Sequence, residues 1–196
     1  MKKFLLGFVV ALLLVPVAIW IYFQYGNPPV AVADAPFPME RQIVQIPLHA
    51  RIDRQMPHVV PVDANEATFD TGAHIYRQNC AACHGLPGQP SEFAAHMYPP
   101  APQLWKQHRP GVVGVSDDPP GETYWKVENG IRLTGMPAFN KILSNTQMWQ
   151  VTLLLANAEG PLPASVQSVL KKPLALDVPD AAAVPVLQRT AQPKAK

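Results

Sequence analysis

Residues 80 to 84 read Cys80-Ala81-Ala82-Cys83-His84: two thiols three positions apart, with an imidazole directly after the second. That order of groups matches the attachment site of a c-type haem. Two sulfurs have to reach two vinyl groups on one edge of a porphyrin, and the next side chain has to aim a ring nitrogen at the iron from the same side. One helical turn meets these demands, because positions i and i+3 share a face. A zinc half-site is a rival, yet a structural zinc takes four ligands, commonly from two such pairs. The chain has two cysteines in all, and no H-x3-5-H pair follows them. A thioredoxin-like pair belongs after a strand in a βαβ pattern, whereas the residues before Cys80 have helical character. A plain disulfide between cysteines so close within a helix is geometrically poor.

The elements around the motif are short helices and loops. Phe69 to Ala82 reads as a helix, with Gly72, Tyr76 and Cys80 at i, i+4 and i+8 on one face. Eight prolines between Pro87 and Pro120 then leave room only for a short helix around Ser91 to Met97. Gly121 to Asn129 forms the next helix, closed by Gly130. Ser144 to Ala158 is the last, with Ser144-Asn-Thr-Gln147 as a capping box and Gly160-Pro161 as its stop. Nothing reads as a strand-rich domain, and there is neither an internal repeat nor a second haem motif. The head is a small core for its loop content, and a buried haem would supply much of the missing apolar volume.

The chain extends beyond this head on both sides. Lys2 and Lys3 precede an uncharged run of twenty residues, Phe4 to Phe23, which spans about 30 Å as a helix. Trp20, Tyr22 and Tyr25 gather at its far end, where an aromatic belt would lie. The run is longer than the apolar region of a cleaved signal peptide, so residues 1–26 are expected to be an uncleaved membrane anchor. Cleavage would instead release the chain into the periplasm. Residues 27–63 carry seven prolines and read as an extended tether, about 35 Å in root-mean-square reach if coil-like, although Ile43-Val44-Gln45-Ile46 and Val59-Val60 are apolar enough to lie against the head or a partner. The haem domain is expected over 64–160 and a largely disordered Pro/Ala-rich tail over 161–196. From Ala64 to Gly160 eight acidic side chains face six basic ones, so no basic patch points to nucleic acid. With both cysteines in the haem motif, no structural disulfide fits within the chain.

A haem with one histidine needs a second axial ligand, and Asn129-Gly-Ile-Arg-Leu-Thr-Gly-Met136-Pro-Ala-Phe139 offers a methionine in a Gly-Met-Pro loop. The helix running into C-A-A-C-H-G, this loop, and a closing helix with Trp149 together resemble the class I, mitochondrial-type c-type cytochromes. They are most similar to bacterial membrane-anchored cytochromes with a single haem. The resemblance covers roughly Thr68 to Gly160. It implies an all-α cytochrome c fold around one covalent haem c, preceded here by a single transmembrane helix. It also implies thioethers from Cys80 and Cys83, proximal ligation by His84 and distal ligation by Met136. The first and last helices should cross near Gly72 and Trp149. Met97 is a weaker rival to Met136, His96 and His108 lack a supporting motif, and His74 should face solvent. The Pro99-Pro100-Ala101-Pro102 loop is the natural carbonyl source for the other His84 nitrogen. Tyr98, Trp105, Trp125 and Arg132 are more readily explained by packing or surface charge than by contact with the haem propionates.

Histidine–methionine ligation fills the six positions of the iron and favours its reduced form. The expected function is therefore one-electron carriage rather than catalysis, with no small-molecule substrate. Redox proteins of a respiratory chain would be the partners: a dehydrogenase, a quinol-oxidising complex or a terminal oxidase. The expected location is the bacterial inner membrane, with the haem domain in the periplasm. Two alternatives stay open: a haem subunit of a larger dehydrogenase or oxidase complex, and a haem enzyme or gas sensor with an open iron site.

Overall fold

Helix formation follows the local signals closely wherever a cap or an apolar stripe is present. In the computed structural model, which describes residues 1–174, the first helix α1 runs Lys2–Tyr25 with Pro16 inside it. It is long and apolar enough to cross a membrane and none of its residues is buried by the rest of the chain. Helix α3 spans Glu66–Asn79, started by Asn65, whose side chain accepts from the Thr68 N–H at 3.0 Å. A single turn, α4 (Ala81–His84), continues from Cys80 and ends at Gly85 with φ +72°. A 3-10 turn over Phe93–His96 and a two-stranded antiparallel ribbon, β1 (Gln107–Arg109) with β2 (Val112–Val113), fill the following loop region. Helix α5 is Pro120–Asn129, ended by Gly130, and α6 is Asn145–Ala156. The capping box of α6 is present as read: Ser144 Oγ accepts from the Gln147 N–H, and Gln147 accepts from the Ser144 N–H.

The core lies where α3 and α6 cross. Ala73, Tyr76, Met148, Val151 and Leu154 are fully buried there. Gly72 is what lets the two backbones meet, since a Cβ at that position would collide with the Gln150 carbonyl oxygen and crowd Leu154. The crossing therefore accommodates backbone, not the Trp149 ring. Trp149 stacks instead on Tyr124 of α5, with ring centroids 4.3 Å apart and planes 19° from parallel.

Two segments differ from the expectation of an extended tether and a disordered tail. Residues 40–55 form a helix, α2 (Glu40–Gln55), despite Pro47 inside it. The prolines dominate the composition of 27–63, but the intervals beside Pro47 hold good helix formers such as Glu40, Arg41, Leu48, Ala50 and Arg51. The helix docks on the head: Ile52 is fully buried and Gln55 Oε1 accepts from Trp125 Nε1 at 3.3 Å. Likewise α7 (Ala164–Lys171) lies within the expected tail and packs on α3 through buried Val166, Val169 and Leu170. Ser165 Oγ donates to Glu66 at 2.8 Å, and Arg77 donates to the carbonyls of Lys172 and Pro173. The alternation of Val166, Val169 and Leu170 on one helical face was the signal for this packing. Residues 175–196 of the expected tail lie outside the described residues.

Candidate haem-binding site

The site is assembled from the end of α3 outward. Tyr76, one turn before Cys80, is fully buried and its hydroxyl donates to the Gly85 carbonyl at 2.7 Å, so the helix and the turn after the histidine are locked together. Burial pushes the Tyr76 phenol up, and it stays protonated as the donor. Gly85 closes α4 in the left-handed region, where a Cβ would meet Gln89 O at 2.9 Å. Gln103 reaches across beneath the motif: Nε2 donates to the Cys83 carbonyl at 3.2 Å and Oε1 accepts from the Ser91 N–H at 2.7 Å. The Leu104 N–H donates to the His84 carbonyl at 3.2 Å.

These anchors fix the orientation of His84. Its Nδ1 lies 2.8 Å from the Pro102 carbonyl oxygen, as the rigid proline loop suggested. A carbonyl can only accept, so Nδ1 carries the proton and Nε2 keeps its lone pair. Burial lowers the pKa of the ring below its ordinary value, partly opposed by the bond to Pro102. The imidazole is therefore neutral at neutral pH, the form in which it binds a metal. Burial, reinforced by the neighbouring Cys83, pushes the Cys80 thiol up to about 12.

Met136 comes from the other side of the molecule. The loop after α5 turns back at Gly130, with φ +64°; a Cβ there would stand 2.7 Å from the Ala138 nitrogen and 2.8 Å from the Met136 carbonyl oxygen. Ile131 N–H donates to that carbonyl at 3.2 Å, Thr134 Oγ1 accepts from the Met136 N–H at 3.1 Å, and Phe139 N–H donates to Val127 O at 3.0 Å. The loop is thus tied to α5 at both ends.

Between these two sides lies a cavity of about 300 Å³, lined by Cys80, Cys83, His84 and Met136 together. That is about twice the roughly 150 Å³ of an engineered apolar cavity that admits benzene, and packed interiors rarely leave such voids. Its walls are largely aliphatic and aromatic: Leu104, Val115, Val127, Phe139, Val151 and Leu155. Two thiols, a neutral imidazole and a thioether around one apolar slot are the donor set a covalent haem requires, so the residues fit the group. Among the described residues no cluster of three or more His, Cys, Asp or Glu side chains suits a bare metal ion.

The helical fold and this cavity fit a c-type cytochrome domain, and the family comparison indicates such a domain with covalently bound haem c. Residues 67–154 match the family model for cytochrome c oxidase, cbb3-type, subunit III, and domains of this kind transfer electrons together with redox partner complexes such as oxidases. No curated protein matches the chain.

Sequence reasoning missed part of the lining. It did not miss Met97, the weaker rival ligand, which faces the cavity and whose Cε would be struck by a Cβ on Gly135. Gln45, Leu48 and His49 of α2 line it as well, as do Thr123 and Lys126 of α5. No motif flags the α2 residues. A signal for them was available only in the helical spacing of Leu48, His49 and Ile52. Tyr98, Trp105, Trp125 and Arg132 do not line the cavity. Trp105 instead packs edge-on against Tyr76 at 5.7 Å, and Trp125 holds Gln55. His74 is exposed and its Nδ1 lies 2.9 Å from the Asp70 carbonyl.

Proposed function

We propose that the chain is a membrane-anchored single-haem electron carrier, with thioethers from Cys80 and Cys83 and axial ligation by His84 and Met136. The convergence of those four side chains on one apolar cavity, with the proton of His84 held on Nδ1, is the observation that supports this reading. Haem c held there supplies a reversible one-electron couple. The protein's part is to fix the imidazole, present the soft sulfur of Met136, and keep water from the iron. Both the sulfur and the apolar surroundings disfavour the extra charge of the oxidised state and raise the potential. With six ligands in place no position is left for a substrate, and the reduced protein should not bind carbon monoxide.

The haem head takes in residues 64–160, with α2 and α7 docked on it, and α1 anchors it in the inner membrane facing the periplasm. Its partner is a quinol-oxidising complex, a dehydrogenase or a terminal oxidase. The oxidase reading, in which the chain is a haem subunit of such a complex, draws on the family description, and co-purification of oxidase subunits with the full-length chain tests it.

Met97 supplies a second reading of the distal ligand, because it too lines the cavity. Met136 is favoured by the hydrogen bonds that hold its loop. Oxidised spectra of the full-length holoprotein separate the two. Loss of the weak long-wavelength sulfur-to-iron band in Met136→Ala, with the band kept in Met97→Ala, is the expected pattern. The reverse pattern would transfer the ligand role to Met97. A high-spin spectrum in the unaltered protein would instead favour an enzyme or gas sensor.

A further inference from the structure

Helix α2 lies outside the segment that matches the cytochrome family, yet its side chains reach the cavity. Gln45, Leu48 and His49 fall on one face at i, i+3 and i+4, and all three line the void that holds Cys80, Cys83, His84 and Met136. One turn further along, Ile52 continues that face and has no exposed surface. The helix is about 24 Å long and is fastened at its C-terminal end. Near its start, Glu40 shares a shallow pocket with Tyr98, which leads into the proline loop beside His84. At its end, Gln55 accepts from Trp125 of α5 at 3.3 Å, and the Pro57 carbonyl rests on Gly121, where any Cβ would collide with it. The helix thus bridges from the loop on the His84 side to α5, which precedes the Met136 loop.

We propose that α2 is the closing wall of the haem site, with Leu48 and His49 against the bound haem, so that the chain screens one edge of its own cofactor. This rests on the haem occupying the cavity as read above. A screened edge excludes water on that side and holds any partner farther away by one helix diameter, ~10 Å, which slows electron exchange there. Fast exchange is therefore expected over another part of the haem periphery.

Ring-current shifts test the contact directly. In the reduced, full-length holoprotein with labelled methyl groups, the Leu48 methyl resonances, identified by their disappearance in Leu48→Ile, should be displaced from the normal leucine range. Gly121→Ala, which drives the Pro57 carbonyl away, should return them towards that range. It should also speed oxidation by ferricyanide several-fold while the sulfur-to-iron band persists. Ile52→Asp should do the same without altering α5. Leu48 methyls at ordinary positions in a protein with an intact haem spectrum would overturn this inference and leave the haem reading standing. Unchanged ferricyanide rates in both variants would overturn it too. An unaltered chain that attaches no haem would bring down both.

Discussion

The two sides of the cavity are built by different means. On the His84 side, two side chains and two backbone groups converge on one short turn: the Tyr76 hydroxyl on Gly85, the Gln103 amide on Cys83 and Ser91, the Pro102 carbonyl on the imidazole and the Leu104 N–H on the His84 carbonyl. Nearly all of these partners are backbone groups, which cannot rotate away. On the Met136 side an irregular loop is held by Gly130, by Thr134 and by a few main-chain bonds to α5. Met136 reaches the cavity through a flexible side chain, whereas His84 is held at both its backbone and its ring. The histidine side is therefore a fixed platform and the methionine side a replaceable one, because local opening starts where few bonds have to break together.

Removing the covalent hold on the platform should have the largest effect. Cys80→Ser combined with Cys83→Ser is expected to abolish haem staining on a denaturing gel completely; retained stain would mean another attachment point. Next comes Met136→Ala. It should leave the haem attached but lower the potential by on the order of 0.1 V, within the roughly 0.8 V range that axial ligands command. An unshifted potentiometric titration would remove Met136 from the iron. Gly130→Ala is the milder attack on the same side. A β-carbon at φ +64° costs about 1–3 kcal/mol, and the oxidised spectrum should show a weakened sulfur-to-iron band. Smallest is Tyr76→Phe, which strands the buried Gly85 carbonyl at a cost of about 1–2 kcal/mol in urea unfolding, with that band unchanged. If Tyr76→Phe weakened the band and Gly130→Ala did not, the assignment of rigid and replaceable sides would be reversed. Progressive urea sharpens the contrast further: the sulfur band of the unaltered protein should fade before the far-ultraviolet helix signal.

Much of this was legible in the sequence because it rests on local chemistry. The C-x-x-C-H turn, the Asn129–Phe139 loop and the Ser144/Gln147 box each carry their geometry within a few residues, and a carbonyl from the 99–102 loop follows from the needs of the imidazole. What was hidden depends on contacts distant in the chain. Pro47 made α2 look extended, since composition does not show that Ile52 finds a fully buried place on the head. Helix α7 was obscured in the same way by the prolines on either side of it. Gly72 was read rightly as a crossing point, but its neighbour is the Gln150 carbonyl, while Trp149 stacks on Tyr124. Met97 ranked below Met136 because Gly135 and Pro137 frame the latter, although a cavity is lined by whatever the loops bring to it.

The docking of α2 also changes how far the head can travel. Only residues 26–39 separate the end of α1 at Tyr25 from the start of α2 at Glu40, a link of about 20 Å in root-mean-square length and about 50 Å when fully stretched. With α1 in a bilayer as proposed, the haem would be confined to a thin layer above it. Tethering of this kind holds a group at an effective concentration on the order of millimolar. Encounters with a membrane-bound partner are then limited by lateral diffusion in the bilayer and by the height of that partner's docking site. In that arrangement the bulk abundance of the protein would not enter.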